Sequence, residues 1–128
     1  MTLKMRKANL SDLDWFTKLT SYYTTDNFVG IVALLDDGAR GGMMGMDFWT
    51  PKSVQLHIAL NTMEALPDLW RETVSFLRSK GRNLVYCVTP SDHLPSIGLQ
   101  RAAGFRETYR LVDGWDHGVD MVLSERRI

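Results

Sequence analysis

Residues 92–121 read DHLPSIGLQRAAGFRETYRLVDGWDHGVDM. Ile97, Leu99, Ala102 and Ala103 recur at helical spacing, and Gly104 stops the pattern, as glycine does at helix ends that turn left-handed. Phe105 then opens two strand-like stretches, Arg106 to Val112 and Val119 to Leu123. A turn of Gly114, Trp115, Asp116, His117 and Gly118 separates them. The segment is a short helix, a stop and a strand pair.

Upstream of it, Leu84 to Val88 (LVYCV) is a buried strand ended by Thr89-Pro90. Before that the period is helical: Pro67 suits a first turn, Leu69, Trp70, Val74, Phe76 and Leu77 follow, and Lys80-Gly81 closes the helix. Val54 to Leu60 (VQLHIAL) alternates, so Val54, Leu56, Ile58 and Leu60 face one way and Gln55, His57 and Ala59 the other. Met43 to Trp49 and Phe28 to Leu35 complete an antiparallel meander, with Asp36-Asp37-Gly38 as a hairpin signal. At the start, residues 3–8 alternate as a strand. Ser11 then reads as the N-cap of a helix built on Leu13, Phe16, Leu19, Tyr22 and Tyr23. The order is β-α-β-β-β-α-β-α-β-β. It predicts an α+β fold, one domain over residues 1–128, with a mostly antiparallel mixed sheet of six to seven strands and about three helices.

Composition narrows the class. Hydrophobic residues make up 45% and charged residues 23%, ordinary for a globular protein. Fifteen basic and fifteen acidic residues leave no net charge, which argues against a nucleic-acid partner held by a general basic surface. No apolar run approaches the ~20 residues of a membrane span. The first residues are too polar for a signal peptide, and the one cysteine, Cys87, allows no intrachain disulfide. A cytoplasmic protein is expected. The cysteine and three histidines lack metal-ligand spacing, so no metal site is expected. No hydrolase signature is present.

The helix ending in Gly104-Phe105, together with the element order, resembles the GNAT superfamily of acyl-CoA-dependent N-acyltransferases. The resemblance covers nearly the whole chain and is specific at its C-terminal end. A small divergent member of bacteriophage type is the nearest description. It implies acetyl-CoA as cofactor and an amine, on a small molecule or a protein, as the second substrate. It also implies a site where the fourth and fifth strands part. The family's phosphate loop, Arg/Gln-x-x-Gly-x-Gly/Ala, falls after Ile58, Ala59, Leu60 and Asn61. Here Ala65 stands at its arginine position, and Asp68 and Trp70 stand at its glycines. Those strand residues, with Pro67, Asp68, Leu69 and Trp70, are the implied cofactor contacts. The preferred reading of Pro67-Asp68 is nevertheless a plain helix start, with Asp68 serving the helix dipole and Trp70 packed in the core.

The resemblance places further groups. Gln100 occupies the position of the family's tyrosine acid, and His93 that of its pantetheine-contacting asparagine; Ser96 lies between them. An amide cannot serve as a general acid, and Tyr86 and Tyr109 are the tyrosines on neighbouring strands. Gln55 stands where the family's basic glutamate is expected. His57, on the same face, titrates near neutrality and could take a proton, and Glu64 is a further candidate near the cleft. His57 as base and His57 as a structural residue both stay open. Two functions therefore compete, beside a third possibility, an unrelated α+β ligand-binding domain that shares the strand order by chance. One is N-acetyl transfer from acetyl-CoA with a degenerate phosphate loop. The other is a catalytically inactive GNAT-fold module that binds a protein, host-directed or virion-associated. The oligomeric state, a homodimer included, is left open.

Overall fold

The computed structural model describes residues 3–20 and 28–128. It contains strands β1 (Lys4–Lys7), β2 (Phe28–Leu34), β3 (Arg40–Phe48), β4 (Ser53–Leu60), β5 (Leu84–Pro90), β6 (Arg106–Asp116) and β7 (Val119–Arg127). The helices are α1 (Leu10–Thr20), α2 (Leu66–Ser79) and α3 (Leu94–Ala102), and a short 3-10 turn, Met63–Ala65, leads into α2. The expected order is the observed one. Tyr22 and Tyr23, expected at the end of the first helix, lie outside the described residues.

One seven-stranded sheet runs β1-β2-β3-β4-β5-β7-β6. Every neighbouring pair is antiparallel except β4 and β5. Alternation sends Phe28, Val32, Met43 and Ala59 to the face covered by α1 through Phe16. Met44, Met46, Val54, Leu56 and Val85 go to the other face, with Leu69 and Leu77 of α2 and Ala103 after α3. Met43, Met44 and Met46 are fully buried, each contributing roughly 1.5–3 kcal/mol by the area it removes from water. The methionine cluster is core, as its unbranched shape suits.

Several boundaries differ from the sequence reading. The first helix is capped by Asn9 and not by Ser11: the Asn9 side chain accepts from the Asp12 N–H (3.1 Å), and Asp12 accepts from the Asn9 N–H (2.8 Å). This reciprocal box uses a carboxylate that is itself fully buried between Arg6 (2.5 Å) and Arg40 (2.9 Å). β3 begins at Arg40 rather than Met43, because Gly42 pairs with Ala33 and Leu60 and Arg40 with Leu34, the ladder passing Gly41 as a bulge. β5 runs through Thr89 to Pro90, paired with β7 as far as Met121. β6 reaches Asp116, longer than its apolar pattern, because this edge strand is exposed throughout and needs no buried face, while β7 runs on to Arg127 because its pairing with β5 continues to Leu84.

Gly104 ends α3 with φ +86°, and an added side chain there would press on the Arg126 guanidinium. Arg126 donates to the Ala103 carbonyl. The helix stop is thus also a seam with β7.

Candidate active site

β4 and β5 pair over three positions only, Ser53 with Leu84, Val54 with Val85 and Gln55 with Tyr86. β4 then runs on to Leu60 and β5 to Pro90 without facing each other. Among the described residues, no strand pairs with the facing edges of β4 and β5 past this point, leaving their N–H and C=O groups without a ladder partner there. A cavity of about 500 Å³ fills the gap. It is lined both by Gln55 and His57 from one face of the sheet and by Leu56, Ile58 and Leu60 from the other, so it passes through the sheet. Thr20 of α1 and Trp115 of β6 flank it, and His93, Ser96 and Gln100 of the α3 region close it from β5.

Predicted cofactor residues divide sharply. Ile58, Leu60, His93, Ser96 and Gln100 line this gap, as do Gln55 and His57 of the predicted catalytic set. Ala59 is buried under α1. Asn61 is drawn to β3, donating from its side chain to the Arg40 carbonyl (3.0 Å) and from its backbone to Gly41 (2.9 Å). Leu69 is core. Trp70 meets Phe105 edge-on at 5.6 Å, with the Arg126 guanidinium 4.9 Å from its ring. Glu64 is exposed on the 3-10 turn, and it, Pro67 and Asp68 are not among the residues lining the gap.

Inside the gap, His93 is spent as the cap of α3, its Nδ1 accepting from the Ser96 N–H at 3.3 Å. Gln100 is buried, donating to Thr89 Oγ1 at 2.6 Å and accepting from Ser124 Oγ at 2.8 Å. It clamps α3 to β5 and β7 and offers no acid. His57 packs among the rings of Phe16 (6.4 Å) and Phe28 (6.1 Å). Phe28 can lie there because Gly45, paired with His57, carries no side chain to collide with it. That burial pushes the imidazole down to about 4, against a smaller opposing pull from Asp47, and His57 is neutral at physiological pH. Tyr86 stacks on Trp49 with ring centroids 5.6 Å apart, and Tyr109 stands 56% exposed on β6.

Sequence reading missed Thr89 and Trp115. Thr89 is the polar end of a buried strand, a signal available in LVYCVTP. Trp115 sits in an irregular stretch where the β6–β7 register shifts between Leu111 and Asp116. That irregularity rests on Asp113 at φ 55°, whose carboxylate accepts from the Gly118 N–H (2.9 Å). No apolar period announces it.

A parallel pair that parts after three residues, embedded in this strand order, decides the architecture. The chain has the GNAT fold. A GNAT-family protein from Desulfovibrio desulfuricans superposes with a TM-score of 0.81 at 17% identity, covering 98% of this chain and 99% of the other. Nourseothricin acetyltransferase superposes at 0.79 with 12% identity, 99% of each chain being covered. The ribosomal-protein-S18-alanine N-acetyltransferase of Escherichia coli superposes at 0.75 with 11% identity, over 99% and 94% of the two chains. No protein-family model matches the sequence, and no curated relative matches it. Among the described residues no helix is long and apolar enough to cross a membrane, and no cluster of potential ligands could hold a metal ion.

The resemblance to GNAT acetyltransferases implies acetyl-CoA, and the fit of that molecule is testable here in two parts. The gap suits a thin arm: it is open through the sheet, apolar on one side and edged by unpaired strand backbone. The turn before α2 does not suit a pyrophosphate. The Glu64 N–H points to Thr62 Oγ1 (3.4 Å), the Ala65 N–H to the Thr62 carbonyl (3.2 Å) and the Leu66 N–H to that of Met63. Pro67 has no N–H, and Asp68 adds a carboxylate, paired with Arg71. A helix N-terminus attracts an anion through free amides and positive potential. Across these four positions the amides are engaged or missing, and Asp68 cancels part of the potential.

Proposed function

We propose that the protein is an N-acyltransferase of GNAT type that grips its acyl donor by the arm alone. The observation that carries this is the gap after Gln55 and Tyr86. When bound, acetyl-CoA supplies the activated thioester; the chain supplies the slot, the unpaired strand edges and the residues around them. Those edges offer backbone donors and acceptors to an amide-bearing arm. Neutral His57 can accept a proton from an ammonium or from an intervening water, although burial makes it a weak base. Among the described residues lining the gap none replaces the tyrosine acid, and thiolate departure without an acid is compatible with its ordinary leaving ability.

The acceptor reading follows from register. Asp47, Gln55 and Tyr86 stand side by side across β3, β4 and β5, with Trp49 stacked on Tyr86. A carboxylate beside two aromatic faces suits a cationic amine.

The test is titration with acetyl-CoA and with S-acetyl-pantetheine, followed by amide shifts in NMR spectra, and then transfer to polyamine, lysine and peptide α-amines. Both donors should perturb Gln55, Ser96 and Thr89. Absence of binding at millimolar donor overturns the reading. It would leave the second one, an inactive GNAT-fold module that binds a protein, which the engaged amides before α2 favour.

A further inference from the structure

The sheet face that carries α2 holds a second cavity, of about 710 Å³. It shares no lining residue with the gap. The gap lies between β4 and β5, whereas this cavity's floor comes from β1 and β2, on the other side of β3. The second cavity's size is within the roughly 300–1,000 Å³ of small-molecule sites.

Its floor is apolar. Met5, Val29 and Ile31 come from the two outermost strands on that side. Phe48 and Phe76, the latter from α2, approach with centroids 6.4 Å apart. The rim is basic. Lys80 Nζ lies 5.7 Å from the centroid of Phe76, and the Arg82 guanidinium 4.9 Å from that of Phe48. Lys7 ends β1 beside them. The Arg82 guanidinium is held in place, because its Nη1 donates to the carbonyls of Pro51 and Lys80, both at 3.1 Å.

None of these three cations makes an ion pair with a described residue. The one acidic residue among the lining groups is Glu72. The chain as a whole has no net charge, so this excess is local. Two cations over aromatic rings and a third at the rim, above an apolar floor, match a ligand with an anionic head and an apolar body. The floor removes hydrocarbon from water, and the low-dielectric wall strengthens the attraction at the head.

We propose that this cavity binds a small amphipathic anion, a carboxylate or phosphate monoester on a hydrocarbon or aromatic body. The head lies among Lys7, Lys80 and Arg82, and the body on Phe48 and Phe76. The site is independent of the acyl-donor gap, and the proposal stands whether or not transfer occurs.

The experiment is titration of the whole chain with octanoate, octyl phosphate, inorganic phosphate and octanol, read by calorimetry and by amide shifts. Octanoate or octyl phosphate should bind, with shifts at Ile31, Phe48 and Phe76, and their ratio tells which head is preferred. The paired substitutions Lys7→Glu and Lys80→Glu, both at exposed positions, should weaken binding at least about tenfold while leaving the melting temperature in place. Arg82 is better kept, since it also braces Pro51. Four results overturn the proposal: no binding of either amphiphile at millimolar concentration, octanol binding as tightly, inorganic phosphate binding as tightly, or shifts confined to Gln55, His57 and Thr89. Affinity unchanged in the double variant overturns it as well.

Discussion

The gap between β4 and β5 and the turn that leads into α2 adjoin one another, yet only the first keeps the geometry expected of a GNAT acyl-donor site. The difference follows from what each is made of. The gap is a property of strand pairing: two parallel strands that stop matching after Gln55 and Tyr86 must part, whatever their side chains. The phosphate cradle is a property of particular residues, since amides stay free only where the chain neither folds back on them nor replaces them. Thr62, Pro67 and Asp68 undo it at small cost to the helix, for Pro67 and Asp68 are good first-turn residues. Strand topology can thus supply a slot by itself, whereas a phosphate cradle depends on which residues occupy the turn.

The comparison can be broken or sharpened by measurement. The largest effect concerns the wall of the gap. His57 titrates near 4 when folded against about 6.5 when unfolded, so as pH falls through this window the unfolded chain takes up a proton that the folded chain does not. Stability is unaffected above about pH 6.5 and declines toward pH 4, by up to about 3 kcal/mol. Below that, protonation of Asp12 removes a further contribution. Burial alone would raise this carboxyl, but Arg6, the Asn9 N–H and Arg40 outweigh it and hold it at about 2. Urea midpoints of wild type and His57→Phe between pH 7 and pH 4 check the first part: the variant should lose most of the slope.

Next in size, Val88→Trp inserts a ring into the gap and should weaken donor binding at least about 100-fold, close to 2.7 kcal/mol, with the fold intact by circular dichroism. Retained binding would place the donor elsewhere. Gln100→Leu strands the hydroxyls of Thr89 and Ser124 and should cost about 1–3 kcal/mol of stability in denaturant titrations, whether or not donor is present. The smallest effects belong to the turn. S-acetyl-pantetheine should bind within about threefold of acetyl-CoA, less than 1 kcal/mol apart. Asp68→Asn should raise affinity for acetyl-CoA a few-fold and leave the truncated donor unchanged. A large preference for the intact nucleotide would mean that the amides before α2 do hold phosphate.

Much of the fold was legible because periodicity and turn residues report on backbone. VQLHIAL showed both of its faces, and Gly104-Phe105 marked the end of α3. The lining of the gap was legible in part, from strand alternation at Gln55, His57, Ile58 and Leu60 and from the position of α3 at His93, Ser96 and Gln100. Gln100 and His93 stood at family positions, but their hydrogen bonds to Thr89, Ser124 and the Ser96 N–H are tertiary or local choices that spacing does not encode. Asn9 was overlooked as a cap because Ser11 offered the commoner signal. The box that Asn9 forms depends on Asp12 being neutralised by Arg6 and Arg40, residues from two other strands.

The three-residue match between β4 and β5 has a mechanical consequence. It joins one plate of four strands to another of three, so the sheet resembles two panels on a short hinge, with α2 strapped across it. Opening the slot strains few ladder bonds, and its width can adjust to the thickness of an entering arm without unfolding either panel. In hydrogen exchange the amides of Leu84 to Tyr86 should accordingly be less protected than those of β3. Equal protection would show the hinge to be rigid.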